Sequence, residues 1–197
     1  MKLRSFFLAI LPLFALQAFS QRNADNNWQN GDIIFIRNSQ MSRTQSSNEN
    51  DKFNCAGIIF RDNNELFVYY ASEPVKKVKL QDFINLGQDR KYSVKWLMES
   101  ALITEDVLKT MKTYANAKVG TPYDTDESLN SENVYNAEFI WKIYKNSLGI
   151  NLCEPHLKEL TASGDNNTKF DPGKDKSPLL SKKFVSVMDI YKSELLE

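Results

Sequence analysis

The stretch Val134-Tyr135-Asn136-Ala137-Glu138-Phe139-Ile140-Trp141-Lys142-Ile143-Tyr144 decides how this chain is read. Phe139, Ile140, Ile143 and Tyr144 recur at helical spacing, and Gly149 follows as a stop signal, so a helix is predicted over Asn136–Leu148. Asn136 is a residue type favoured at a helix N-cap, and Glu138 complements the dipole of the first turn. Upstream, Gly120-Thr121-Pro122-Tyr123-Asp124 begins with the glycine that closes an earlier helix, Thr104–Val119. Thr104 can cap that helix, Glu105 and Asp106 favour its N-terminus, and Val107, Leu108, Met111, Tyr114, Ala115 and Val119 share one face.

N-terminal to these helices the pattern changes. Asp32–Arg37, Cys55–Phe60 and Leu66–Ala71 are β-branched and aromatic runs that read as strands, the last two joined by the Asn/Asp-rich turn Arg61–Glu65. Val75–Leu80 alternates apolar residues with lysine as an edge strand would, Gln81–Leu86 suits a short helix, and Tyr92–Leu97 reads as a further strand. Ser39–Asp51 and Leu160–Lys183 are polar and read as loops, and Phe184–Tyr191 returns to apolar alternation, as a segment packing back on the sheet. The expected fold class is α+β: a strand cluster, two helices and a returning tail in one domain, 31–197.

The chain holds 197 residues with 25 basic and 25 acidic side chains, so no basic footprint for nucleic acid is present. With 42% hydrophobic and 25% charged residues, the composition is that of a globular chain rather than a disordered one. Residues 1–20 read as a secretory signal peptide: Lys2 and Arg4, an apolar run from Phe6 to Phe14, then Ala18-Phe19-Ser20 before the cut. Residues 21–30 are polar and Asn-rich and are expected to form a flexible tail. Export to a periplasm or the medium is therefore expected, with no membrane span left after cleavage. Cys55 lies in an apolar strand and Cys153 beyond a helix end, and pairing is not the expected state despite an oxidising compartment. The chain has 1 histidine, His156, which leaves little material for a zinc-type site, and neither metal nor cofactor is expected.

Taken together, several segments resemble one family. Gly31-Asp32-Ile33-Ile34-Phe35, Lys52–Ile59, Leu66–Ala71, Gly120–Asp124, Val134–Tyr144 and Val185–Tyr191 are similar, in order and spacing, to the permuted papain-like amidases of the YiiX/YaeF type, circularly permuted relatives of the NlpC/P60 cell-wall peptidases. The resemblance implies a small antiparallel sheet packed with helices. It also implies a nucleophilic Cys opening the helix after the Gly-x-Pro-Tyr-Asp segment, a His on one strand, and an orienting polar residue on the next. At those positions this sequence has Asn136, Cys55 and Tyr70, while Gly57, Gly120, Pro122, Tyr123, Asp124, Tyr135 and Glu138 remain.

Asn136 is no nucleophile, and capping or a polar contact to ligand is its expected role. Cys55 in an apolar run is expected to be an inert thiol. His156 follows a helix that begins at the site and carries the chain ~18 Å away, so it is expected on a surface loop. No catalytic residue is expected. The chain then reads as an exported binder of a cell-wall peptide or acyl/amide compound, with Phe53, Tyr123, Asp124, Tyr135 and Glu138 as groove candidates. The alternatives are an amidase or acyl hydrolase rebuilt around Cys55, or a scaffold protein using its polar loops. Oligomeric state is left open.

Overall fold

The computed structural model describes residues 27–41, 51–158 and 182–197. The signal peptide, residues 21–26 of the tail, most of the Ser39–Asp51 loop and most of the Leu160–Lys183 loop lie outside the described residues.

The strands β1 (Ile33–Asn38), β2 (Cys55–Asp62), β3 (Glu65–Tyr70), β4 (Lys76–Lys79) and β5 (Gly87–Lys95) form an antiparallel sheet in the order β4-β3-β2-β1-β5. Helix α1 (Leu80–Asn85) connects β4 to β5, and α2 (Glu105–Lys118) and α3 (Asn136–Leu148) follow. The chain ends with the strand pair β6 (His156–Lys158) and β7 (Lys182–Phe184), then α4 (Val187–Tyr191).

The two-residue period of a strand explains how the layers form. Ile33, Phe35, Ala56, Ile58, Phe60 and Tyr69 point to one face, where they pack with Phe139, Ile140, Ile143 and Tyr144 of α3 and Met111 and Ala115 of α2. Ile34, Ile36, Cys55, Ile59, Val68 and Tyr70 point to the other, against Leu80, Phe83 and Ile84 of α1. Both faces are covered, so β1 and β2 are continuous apolar runs rather than alternating ones. Asn63 and Asn64 take φ of 47° and 66°, the left-handed pair that a tight hairpin needs and that asparagine tolerates. Gly149 closes α3 at φ 72°, as the sequence predicted.

Gly57 is required for a different reason. A Cβ there would lie 2.2 Å from Val68 Cγ1 and 3.3 Å from Phe83 Cζ. Val68 and Phe83 are themselves fully buried and have no free space to retreat into. Gly57→Ala is therefore expected to destabilise by about 1–3 kcal/mol through overpacking. Denaturant unfolding measures this, and an unchanged midpoint would contradict the packing described.

Four local expectations need correction. β5 begins at Gly87, not Tyr92, because backbone pairing to β1 extends through exposed residues that hydrophobic pattern cannot register. Lys182 and Lys183 belong to β7 rather than to the preceding loop. After β7 the tail coils into α4 instead of continuing as alternating extended chain. Ser186 Oγ accepts from the Asp189 N–H at 3.1 Å, and Asp189 Oδ2 accepts from the Ser186 N–H at 2.8 Å. That reciprocal cap overrides the alternation. Finally, the end of the N-terminal tail is docked: Asn30 Oδ1 accepts from the Arg61 N–H at 2.7 Å, and the Trp28 ring meets Tyr92 edge-on at 6.0 Å.

Candidate functional site

The N-terminus of α3 meets the sheet where β2 and β3 separate. Their paired register runs to Ile58↔Tyr69, and two residues further on it would set Ala56 opposite Ala71. The Asn136 side chain fills that gap. Its Oδ1 accepts from the Ala56 N–H at 2.6 Å, and its Nδ2 donates to Ala56 O and Ala71 O, each at 3.0 Å. A primary amide presents the same donor and acceptor set as a peptide group, so this side chain acts as one more rung of the β2–β3 ladder. Asn136 is only 3% exposed. The expected N-cap role is thus corrected: Tyr135 is the flanking extended residue, and Asn136 is already inside the helix with its carboxamide turned to the sheet.

Cys55 and Asn136 are brought together as the resemblance implied. Asn136 Nδ2 lies 3.6 Å from Cys55 Sγ. Cys55 is fully buried on the α1 face of the sheet, and burial pushes its thiol pKa far up, with the Asn136 contact only partly offsetting. A protonated, enclosed thiol is a poor nucleophile. Tyr70 shares that face and packs edge-on to Phe83 at 5.0 Å, and burial raises its phenol pKa as well.

The segment before α3 is held by its own acids. Asp124 Oδ1 and Oδ2 accept from the N–H groups of Asp126 at 3.0 Å and Ser128 at 3.1 Å. Its N–H donates to Val134 O at 3.1 Å, which folds the segment back towards α3. Tyr123 is half-buried: its N–H donates to Glu73 Oε2 at 3.1 Å and its hydroxyl to Glu127 Oε1 at 3.2 Å. Burial, and then the Glu127 carboxylate, push the Tyr123 phenol pKa up. Glu127 itself is 4% exposed, at a φ of 48°. Nothing in the sequence marks it out, because an acid in the polar run Asp124-Thr125-Asp126-Glu127-Ser128 carries no sign of burial.

Glu138, fully buried, accepts from the Tyr135 N–H at 3.2 Å and pairs with Lys142 at 2.8 Å. Burial raises its pKa to about 7, and the Lys142 ammonium limits the rise. Tyr135 is also fully buried, its hydroxyl accepting from the Val185 N–H at 2.8 Å, so it ties α3 to the returning tail. Phe53 packs against Phe35 and Tyr191, with ring centroids 6.0 and 4.8 Å away. Of the groove candidates, Phe53, Asp124, Tyr135 and Glu138 are buried and Tyr123 is half-buried.

His156 stands on β6 rather than on a loop, because its backbone pairs with Phe184. Its side chain is 58% exposed, with Nε2 3.2 Å from Asp189 Oδ1. Cys55 and Cys153 are both free thiols, as expected, and burial pushes the Cys153 pKa up to about 12.

An antiparallel sheet with a helix N-terminus set against one of its strands is the arrangement on which papain-like hydrolases place their nucleophile and base. The chain belongs to the family of permuted papain-like amidase enzymes, YaeF/YiiX, C92, whose model matches residues 27–192. It is 34% identical over 169 residues to the uncharacterized protein YiiX of Escherichia coli strain K12, covering 83% of this chain and 77% of that protein. A crystal structure described as the metalloprotein YiiX from Escherichia coli O157:H7 superimposes with a TM-score of 0.66 over 86% of this chain and 94% of the other. At 23% identity that likeness supports the papain-like fold.

Proposed function

We propose that this protein is an exported member of the family that binds an amide- or acyl-bearing ligand without hydrolysing it. The observation that carries this reading is the use of Asn136. At the position the family resemblance gives to the nucleophile stands a carboxamide whose hydrogen-bonding groups are engaged by Ala56 and Ala71. Cys55, at the position of the base, is fully buried, which pushes its thiol pKa far up, and it supplies no imidazole to pair with a nucleophile. Loss of nucleophile and base from such a triad leaves at most ~10³–10⁴-fold rate enhancement over water. Ligand contact is assigned to the surface around Tyr123, the half-buried member of the groove candidates. Its ring can stack on an amide, and its hydroxyl oxygen, whose proton goes to Glu127, can accept from an amide N–H.

A metal-dependent reading does not fit these donors. The Asn136 carboxamide is taken up by backbone, Cys55 is fully buried, and among the described residues no three His, Cys, Asp or Glu side chains are grouped to hold an ion. Export rests on the reading of residues 1–20. No helix among the described residues is long and apolar enough to cross a membrane.

The experiment pairs binding with turnover. Thermal shift with muropeptides and N-acyl amino acids should raise the melting temperature for one of these classes, while mass spectrometry detects no product. Product formation that disappears in Cys55→Ser would instead establish a rebuilt hydrolase.

A further inference from the structure

The sheet face that carries Ile33 and Phe35 continues onto β5 as Lys95 and Ser93, which pair with those two residues in register. Side chains two apart on a strand share a face, so the Ser93 hydroxyl and the Lys95 ammonium emerge on the same side. Tyr191, at the end of α4, lies over this face. Its ring packs edge-on to Phe35 at 5.2 Å as well as to Phe53, which fixes the position of its hydroxyl. Lys52, next to Phe53 in the chain, reaches that hydroxyl: its Nζ donates to Tyr191 Oη at 3.4 Å. Lys95 Nζ and Lys52 Nζ stand 5.2 and 5.4 Å from the centre of the Tyr191 ring.

Two ammonium groups are thus gathered on one phenol, and among the described residues neither is paired with a carboxylate. An ammonium carries three donors. Lys52 gives one to Tyr191 and Lys95 gives one to Leu196 O at 3.1 Å, so both keep donors for a ligand. Ser93, Lys95 and Tyr191 are half-buried, where charges act more strongly than in open solvent. The Tyr191 oxygen registers the resulting potential. Burial opposes charge on it, yet Ser93, Lys52 and Lys95 outweigh burial and draw its pKa below the usual tyrosine value.

A cluster that favours negative charge on one oxygen will favour an oxyanion brought from outside. The donor types choose among oxyanions. A planar carboxylate is matched best by the fork of an arginine, whereas separate ammonium point charges suit a tetrahedral group met from several directions. A phosphate group carries about −1.5 to −2 at pH 7, which balances two ammoniums as a single carboxylate does not. We propose that Lys52, Lys95, Ser93 and Tyr191 form a binding site for a phosphate group. The site is separate from the amide-binding surface. Tyr123 is held by Glu73 just past β3, while Tyr191 lies over β1 and β5, and β3 and β5 are three strand spacings apart, roughly 14 Å.

The test is isothermal titration calorimetry of the full mature chain at pH 7.5 and low ionic strength, with inorganic phosphate, methyl phosphate and acetate as probes. Saturable binding of inorganic or methyl phosphate is expected, at least fivefold tighter than acetate. Tighter binding of methyl phosphate than of inorganic phosphate would mark the natural ligand as a phosphate monoester. Lys52→Gln and Lys95→Gln should each weaken phosphate at least fivefold. Lys79→Gln, which removes the same charge from the far edge strand β4, should leave it within twofold. Lys52 is exposed, so Lys52→Gln keeps the test valid even if Lys95→Gln, which loses the bond to Leu196, fails to fold. Absence of saturable heat for both phosphates up to about 10 mM overturns the proposal. Acetate binding as tightly as phosphate, or Lys79→Gln weakening phosphate as much as Lys52→Gln does, overturns it equally. None of these outcomes bears on ligand binding near Tyr123, which Tyr123→Phe and Tyr123→Ala would report separately.

Discussion

Asn136→Ala is expected to lower unfolding free energy by about 3–5 kcal/mol, a loss of roughly 10 °C in melting temperature for a chain of this size. The substitution leaves the Ala56 N–H, Ala56 C=O and Ala71 C=O without the partner that satisfies them. Each such buried group costs about 1–3 kcal/mol when orphaned, and partial entry of water keeps the sum below the maximum. Asn136→Cys, which restores the family's residue type, should cost about as much, because a thiol is too weak a donor and acceptor to replace the amide. Asn136→Asp separates the donor from the acceptor role. A carboxylate still accepts from Ala56 N–H but faces two carbonyl oxygens, so its folded-state pKa is raised. Its stability is therefore best at low pH and declines as pH rises through that pKa. A melting curve for Asn136→Ala that superimposes on wild type would show that the bridge between β2 and β3 has no energetic role.

Stability of the wild-type protein is expected to fall by about 3 kcal/mol as pH rises from about 4.5 to about 7, and Glu138→Gln should remove most of that slope. The sign follows from the raised pKa. The folded protein holds the Glu138 proton more tightly than the unfolded chain does, so the stabilisation is complete below the unfolded value and is lost through the folded one. The groups facing Glu138 are Lys142, which lowers its pKa, the Tyr135 N–H, which also favours the carboxylate, and Asp124, which opposes it. Tyr114 feels the same carboxylate from α2, its phenol pushed up to about 12 by burial and by Glu138. Asp62, paired with Lys77 and Lys112, is shifted down instead, so its contribution is lost only at pH below the 4.5–7 window. Chemical denaturation at pH 4.5, 6 and 7.5 measures the slope. Equal slopes in wild type and Glu138→Gln would assign it elsewhere.

The elements that carry strong periodicity were legible from sequence. Helix α3 occupies the residues predicted for it, and α2 starts at its Thr104 cap, whose side chain accepts from the Val107 N–H at 3.3 Å. The relation between Asn136 and Cys55 was legible only through the resemblance, since nothing in their spacing brings residues 81 apart together. The Asn136 bridge was not legible. Its partners are backbone groups of two alanines, and a capping preference read from residue type cannot anticipate a register gap in a distant sheet. β6, three residues long, carries no periodic signal, and His156 was therefore assigned to a loop.

Native-state alkylation of Cys55 tests most directly whether a cysteine nucleophile survives at this site. With iodoacetamide at neutral pH and mass-resolved sites, Cys55 should react only as fast as the protein unfolds, and far more slowly than a free thiol, while denaturant exposes it fully. Alkylation of Cys55 in the folded protein at or above the rate of a free thiol would mean an accessible thiolate beside α3, and would contradict the non-catalytic account.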